Sequence, residues 1–212
     1  MPRSPDSDPS RLASSEPMTA ITTDALVART RACLATRARR VVPPGPLIRA
    51  AVLVPIIDRG EPCLVFAKRT ERVGHHKGQI GFPGGTVSAR DASMLDTALR
   101  ECEEEVGLPR NAVEVLGTLD DSETVATQFV ITPFVGLVRE PVAFAPDGEE
   151  IEKVMEVPYA ALASPDGFRT EHWERDGVRR PMYFFEWRGE TVWGATARIL
   201  KHYLDLLDAP AR

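Results

Sequence analysis

Between Ser93 and Val106, apolar side chains return every three or four residues: Leu95, Ala98, Leu99, Cys102 and Val106. That period draws one stripe on a helix, and the stripe must be buried against another layer. Ser93 with Asp96 three residues on resembles a capping box, and Gly107 is a natural left-handed stop. The same helix carries Glu101, Glu104 and Glu105 at i, i+3 and i+4, which gathers three carboxylates on one side of the cylinder. Like charges at that spacing cost a helix ~0.2–0.5 kcal/mol per pair when no counter-ion is present. A hard divalent cation reverses the sign, because carboxylate oxygens are the ligands Mg²⁺ and Mn²⁺ prefer. Taken alone, a solvated acidic face is the commoner meaning of such a pattern.

The residues before the helix shift that balance. Phe82-Pro83-Gly84-Gly85 predicts a tight turn whose glycines, Gly84 and Gly85, let bare backbone approach a substrate anion or a metal. Arg100 stands four residues before Glu104 and is placed to orient that carboxylate. Further upstream, Arg69, Arg72, His75, His76 and Lys77 form a basic run that would meet phosphate groups through charge-assisted hydrogen bonds; the alternative is a solvated loop. His75 and His76 do not make a metal pair, since neighbours on an extended loop point opposite ways.

Around this segment the pattern predicts strands over 48–57, 63–67, 112–116, 129–138, 151–157 and 183–187, a short extended piece at 80–82, and helices over 23–40 and 195–207. Asp58-Arg59-Gly60 marks a turn, and Pro43-Pro44-Gly45-Pro46 ends the first helix. Mostly antiparallel β with a few helices implies an α+β layered domain. Residues 1–20 are too rich in Pro, Ser and Asp to offset the entropy of ordering and read as a disordered tail. Residues 21–46 read as an N-terminal helix with a Pro-rich linker, and 47–208 as the domain proper. Phe184, Phe185, Trp187 and Trp193 read as core rather than as a stacking platform.

At 212 residues the chain suits one domain. A formal charge of −5 gives no general drive toward nucleic acid or anionic lipid. No apolar run approaches the ~20 residues that span a bilayer. Three scattered cysteines, Cys33, Cys63 and Cys102, fit reduced thiols in a cytoplasmic protein and no zinc site. A homodimer remains open, with the 23–40 helix able to pack on its own domain or on a partner.

Gly85 followed by Arg100-Glu101-Cys102-Glu103-Glu104-Glu105-Val106-Gly107-Leu108 resembles the Nudix box, G-x5-E-x7-R-E-U-x-E-E-x-G-U with U apolar. The position eight before Arg100 is Ala92; the nearest acid is Asp91, as if the loop were one residue longer. Arg69-Thr70 and Gly78-Gln79-Ile80-Gly81-Phe82-Pro83-Gly84-Gly85 are similar to the added signature of the coenzyme A pyrophosphatase branch, with Gly74 where that signature has a second Arg. Thr132-Pro133-Phe134-Val135-Gly136 and Trp193-Gly194-Ala195-Thr196-Ala197-Arg198 look like the same branch.

The resemblance implies an α/β/α sandwich with a mixed β-sheet, a catalytic loop-helix-loop and a C-terminal helix. It implies Mg²⁺- or Mn²⁺-dependent hydrolysis of coenzyme A to 3′,5′-ADP and 4′-phosphopantetheine. Glu101, Glu104, Glu105 and the Gly85 carbonyl would hold the metal. Arg100 would support them, and Arg69, Arg72, His76 and Lys77 would bind substrate. A base would come from a separate loop, with Glu150 the first candidate and Glu149 the second. Hydrolysis of another conjugate (NADH, ADP-ribose or a nucleotide sugar) stays open, as does a non-catalytic binding module. An isoprenoid diphosphate isomerase needs a catalytic cysteine, and none sits in a recognisable setting.

Overall fold

The computed structural model describes residues 21–43, 45–72, 76–124, 128–139, 141–175 and 177–209. The tail expected over 1–20 lies outside them, as do Gly74 and His75. The organising element is β1 (Ile48–Asp58), whose two faces are both apolar. Ala51, Leu53 and Ile57 join one core, while Val54 and Ile56 join the other, as the two-residue period of a strand requires. A strand buried on both faces has to be central.

β7 (Phe129–Val138) runs parallel to β1, in register from Ile48↔Phe129 to Ile56↔Leu137. On the other edge of β1 the partner changes part-way. β4 (Gly84–Thr86) pairs antiparallel with Ala50–Val52, and β2 (Pro62–Arg69) pairs antiparallel with Ile56–Asp58. β3 (Ile80–Gly81) and β8 (Ile151–Pro158) extend the sheet from β2; β5 (Val113–Thr118) and β6 (Ser122–Glu123) extend it from β7. One parallel pair among antiparallel ones makes the sheet mixed.

α2 (Met94–Val106) covers one face through Ala98, Cys102 and Val106. α1 (Thr23–Thr36) and α4 (Gly194–Asp208) cover the other through Leu26, Val27, Ile199, Leu200, Tyr203 and Leu207. The two helices are tied by the buried Tyr203 hydroxyl, 2.7 Å from Thr30 Oγ1. The α+β layered domain expected from the pattern, and the mixed-sheet sandwich that the resemblance implies, are therefore the architecture. A short helix, α3 (Tyr159–Ala163), precedes a second, antiparallel sheet of β9 (Phe168–Arg175), β10 (Val178–Trp187) and β11 (Glu190–Trp193). Among the described residues no helix is long and apolar enough to cross a membrane.

Two local expectations are corrected. α1 ends at Thr36, four residues before Arg40. Arg37 and Arg39 leave the helix because their guanidinium groups are engaged elsewhere: Arg37 donates to Asp120 at 2.5 Å, and Arg39 to the Leu119 carbonyl at 2.9 Å and to Asp121. Asp121 is buried and also accepts from Val42 N and Thr132 Oγ1. Tertiary charge pairing has overridden a good helical pattern. Trp193 was expected in the core and is 37 % exposed, beside Trp173 with ring centroids 6.4 Å apart; Phe184 and Phe185 are buried as expected.

Candidate functional site

The turn before α2 is shaped by backbone crowding. A side chain on Gly84, at φ +152, would put its Cβ 2.6 Å from Val52 Cα. Only glycine lets β4 come this close to β1. A Cβ on Gly85 would fall 2.5 Å from the carboxyl carbon of Glu101, so this carboxylate lies directly against the Gly85 backbone. One helical turn on, Glu105 is 6 % exposed, and its Oε2 accepts the Gly84 N–H at 3.0 Å.

α2 delivers these groups because its cap geometry fixes its start and end. Ser93 Oγ accepts the Asp96 N–H at 3.1 Å, and Asp96 in return accepts the N–H of Ala92 at 3.0 Å. Gly107 closes the helix at φ +68. Burying Ala98, Cys102 and Val106 against the sheet turns Glu101 and Glu105, at i and i+4, toward the glycine turn. Glu104 lies further round the helix, 49 % exposed at its side chain, and pairs with Arg90 and Arg100.

Arg100 is the hub that holds the turn to the helix. Its Nε and Nη2 donate to the two oxygens of Asp91 at 2.7 and 2.9 Å, and Nη2 also reaches the Thr86 carbonyl at 3.2 Å. Nη1 lies 2.8 Å from Glu104 Oε2 and 2.8 Å from Glu101 Oε1. The expected Arg100–Glu104 pair is present. Asp91, the acid displaced by one position, takes the bidentate contact and further accepts from Ser88 N and Thr97 Oγ1. The Arg100 guanidinium in front of it holds the Asp91 carboxyl well below the usual carboxylate range.

Glu101 and Glu105 move the opposite way. Burial pushes the Glu105 carboxyl up to about 7, with the charges of Glu101 and Glu150 adding and the Gly84 N–H and Arg69 opposing. Burial also raises Glu101, against the pull of Arg100 and with the repulsion of Glu104 and Glu150. Two carboxylates that repel one another in a half-dry cradle form a site short of positive charge. Their hard oxygen chemistry, beside exposed glycine backbone, fits Mg²⁺ or Mn²⁺. With Glu104 turned to Arg100, no three acidic, His or Cys side chains among the described residues converge closely enough to hold an ion as they stand.

Two further predicted residues arrive at the cradle. Arg69, at the end of β2, sits with Nη1 3.5 Å from Glu105 Oε1 and donates from Nη2 to Glu150 Oε2 at 2.9 Å. The pairing of β2 with β8 brings Glu150 there, since Thr70 N donates to the Glu150 carbonyl at 2.8 Å. Glu149 is on the same stretch, with its carbonyl on Thr70 Oγ1. The rest of the basic run is not gathered in. Arg72 and Lys77 are exposed and form no hydrogen bond or ion pair among the described residues, and His76 Nδ1 contacts Gln79 Oε1 at 2.7 Å. Two of the three thiols are held in their neutral form: burial raises Cys63 to about 11 and lifts Cys102 well above its ordinary value.

Comparison with known proteins shows the family. The NUDIX domain model matches residues 47–177. A protein named uncharacterized Nudix hydrolase NudL from Yersinia pestis (strain Pestoides F) is 38 % identical over 154 residues, spanning 73 % of this chain and 77 % of that protein. The NudL protein of Yersinia pseudotuberculosis serotype O:1b gives the same values. Among solved structures, a MutT/nudix family protein from Enterococcus faecalis aligns at TM-score 0.48 and 16 % identity, over 80 % of this chain and 66 % of that one. With an acidic helix packed under a glycine turn and a family match across most of the folded chain, the protein is a hydrolase of the Nudix family.

Proposed function

We propose that this chain hydrolyses the pyrophosphate bond of coenzyme A or a derivative, with a divalent metal, releasing 3′,5′-ADP and 4′-phosphopantetheine. The observation that carries the reading is the pair of carboxylates, Glu101 and Glu105, pressed on the Gly84–Gly85 turn and both raised above the ordinary range. A diphosphate repels an incoming nucleophile; a bound Mg²⁺ or Mn²⁺ neutralises it and supplies a water of lowered pKa. Glu101, Glu105 and the Gly85 carbonyl would hold the ion, joined by Glu104 once it leaves Arg100. Arg100 keeps the helix and the turn in one frame through Asp91. Arg69 meets the diphosphate while anchoring Glu150 by Oε2, and Glu150 Oε1 takes the proton of the attacking water. Water oxygen bonds to one phosphorus as the bridging P–O bond breaks, and the bridging oxygen leaves with the other phosphate.

Support for coenzyme A comes from the sequence signature around Arg69 and the Phe82–Gly85 turn. Gly74, standing where that signature has a second Arg, favours another nucleoside diphosphate conjugate (NADH, ADP-ribose or a nucleotide sugar) as the second reading. A non-catalytic module is disfavoured by the presence of all three box acids. A cytoplasmic location and a homodimer belong to the same reading. The free thiols of Cys33, Cys63 and Cys102 support the first; the exposed Trp173 and Trp193 support the second.

The test is mass-spectrometric product analysis on coenzyme A, NADH, ADP-ribose and a nucleotide sugar, with and without Mg²⁺. The expected result is 3′,5′-ADP from coenzyme A only when metal is present. Turnover of another conjugate with none of coenzyme A moves the assignment to the second reading, and no turnover of any overturns both.

A further inference from the structure

On the face of the sheet opposite α2, α4 and the residues before β7 line a half-open cavity of about 350 Å³. Its lining includes both acids and bases, but the two are not equally satisfied. The acids are answered from outside the cavity: Asp121 by Arg39 and Arg49, and Asp120 by Arg37, none of which lines it. Glu123, at the rim, is half exposed and 4.0 Å from Arg40.

Of the bases on the wall, Arg40 is answered, by the Asp121 carbonyl at 3.1 Å and by Glu123, and two others are not. Arg198 donates to the Glu123 carbonyl and forms no ion pair among the described residues. It is half-buried, and that burial with the like charge of Arg180 works against its charged form, against the pull of Tyr183 and Glu123. Arg180, exposed on β10, has no carboxylate partner among the described residues. Ser122 is 7 % exposed, and its buried Oγ has no hydrogen-bond partner. His202 Nε2 is buried without one as well, 3.5 Å from Asp120 Oδ2. A buried polar atom with no partner costs stability, and a bound ion is one thing that completes it. Two guanidinium groups without an ion-pair partner among the described residues, lining one cavity with a hydroxyl and an imidazole, form a donor set matched to phosphate oxygens.

We propose that this cavity is a second anion subsite that binds a phosphomonoester, with Arg198 and Arg180 supplying charge and Ser122 and His202 supplying hydrogen bonds. Pro133, in its wall, is in register with Val52, which is in register with Gly84. Two strand spacings put Pro133 and Gly84 about 10 Å apart. α4 also approaches β3, since Thr196 Oγ1 is 3.6 Å from where a side chain on Gly81 would begin. The inference rests on the reading above for one source of the phosphomonoester, the 3′-phosphate of the substrate itself. Free phosphate is the other source, and the chemistry is shared.

The experiment is calorimetric titration of the full chain in EDTA with 3′,5′-ADP, 5′-AMP and inorganic phosphate. It compares wild type, Arg198→Gln, Arg198→Lys and Arg180→Gln; the last, on an exposed strand, covers the case in which Arg198→Gln does not fold. Wild type is expected to bind 3′,5′-ADP about 10-fold or more tighter than 5′-AMP, the worth of one charge-assisted hydrogen bond. Both Gln variants should erase that preference, and Arg198→Lys should keep part of it. Equal binding of the two nucleotides, with inorganic phosphate bound by wild type and lost in the Gln variants, supports the subsite with free phosphate as its ligand. The subsite is overturned if no titrant binds, or if all affinities are unchanged in both Gln variants. Because these titrations need neither metal nor turnover, failure of coenzyme A hydrolysis overturns the assigned reaction and leaves this result standing.

Discussion

Replacing Glu105 by Gln should make the metal-free protein more stable, and the size of the gain should depend on pH. In the folded state the Glu105 carboxyl is pushed up to about 7 from an ordinary 4.5, chiefly by burial. A raised acid binds more protons in the folded than in the unfolded chain between those two values. Stability therefore falls as pH rises through that window, and the loss is complete above it. At ~1.4 kcal/mol per pH unit, Glu105 destabilises the protein by about 3 kcal/mol at pH 8.5. Gln keeps the shape, still accepts the Gly84 N–H through Oε1, and carries no charge to desolvate. In EDTA at pH 8.5, Glu105→Gln should raise Tm by about 6–12 °C for a chain of this length; at pH 5 the gain should shrink below ~1 kcal/mol. Added Mg²⁺ should stabilise wild type by mass action and leave the variant nearly unmoved. Circular-dichroism melts at the two pH values read this directly. A variant no more stable than wild type at pH 8.5, or stabilised equally at pH 5, would refute the view that Glu101 and Glu105 form a buried acidic cradle short of positive charge.

Asp91→Asn should cut metal affinity or kcat/KM by about 10–100-fold, the usual cost of losing a group that orients metal ligands; a turnover assay across Mg²⁺ concentrations shows it. Gly85→Ala forces the Glu101 carboxyl aside by about 1 Å and should cost on the order of 100-fold in kcat, with a melting temperature near that of wild type. Asp121→Ala strands Arg39 and Arg49 beside a buried vacancy and should destabilise the fold by about 3–5 kcal/mol in urea melts, without a change in metal affinity.

The helix of the site was legible because its signals are local. The apolar period from Leu95 to Val106, the Ser93 cap and the Gly107 stop all act within one or two turns, and the structure places them as read. Asp91 is the informative case. Spacing alone puts it out of place, yet a longer loop swings it onto Arg100, since a carboxylate and a guanidinium select one another by geometry rather than by count. The approach of Glu150 to Arg69 needed the β2–β8 pairing, which no local pattern states.

The end of α1 was misread for a similar reason: Asp120 and Asp121, some eighty residues away in sequence, decide it. β9 was missed because Phe168–Arg175 is mostly polar and its exposed strand shows no clean alternation. The Asp-Gly at 176–177 was the available signal for that hairpin. Nothing in the sequence marked Ser122, Arg180 or His202, which are brought together only by the docking of α4 and β10 onto the main sheet.

The most direct measurement is Mn²⁺ binding followed by electron paramagnetic resonance, comparing wild type with the Glu101→Gln/Glu105→Gln double variant. Removing two anionic oxygen donors should weaken Mn²⁺ binding by about 100-fold or more, roughly a factor of ten for each ~1.4 kcal/mol lost, while the fold is retained. Equal affinity in the two proteins would contradict the assignment of the glycine-turn cradle as the metal site.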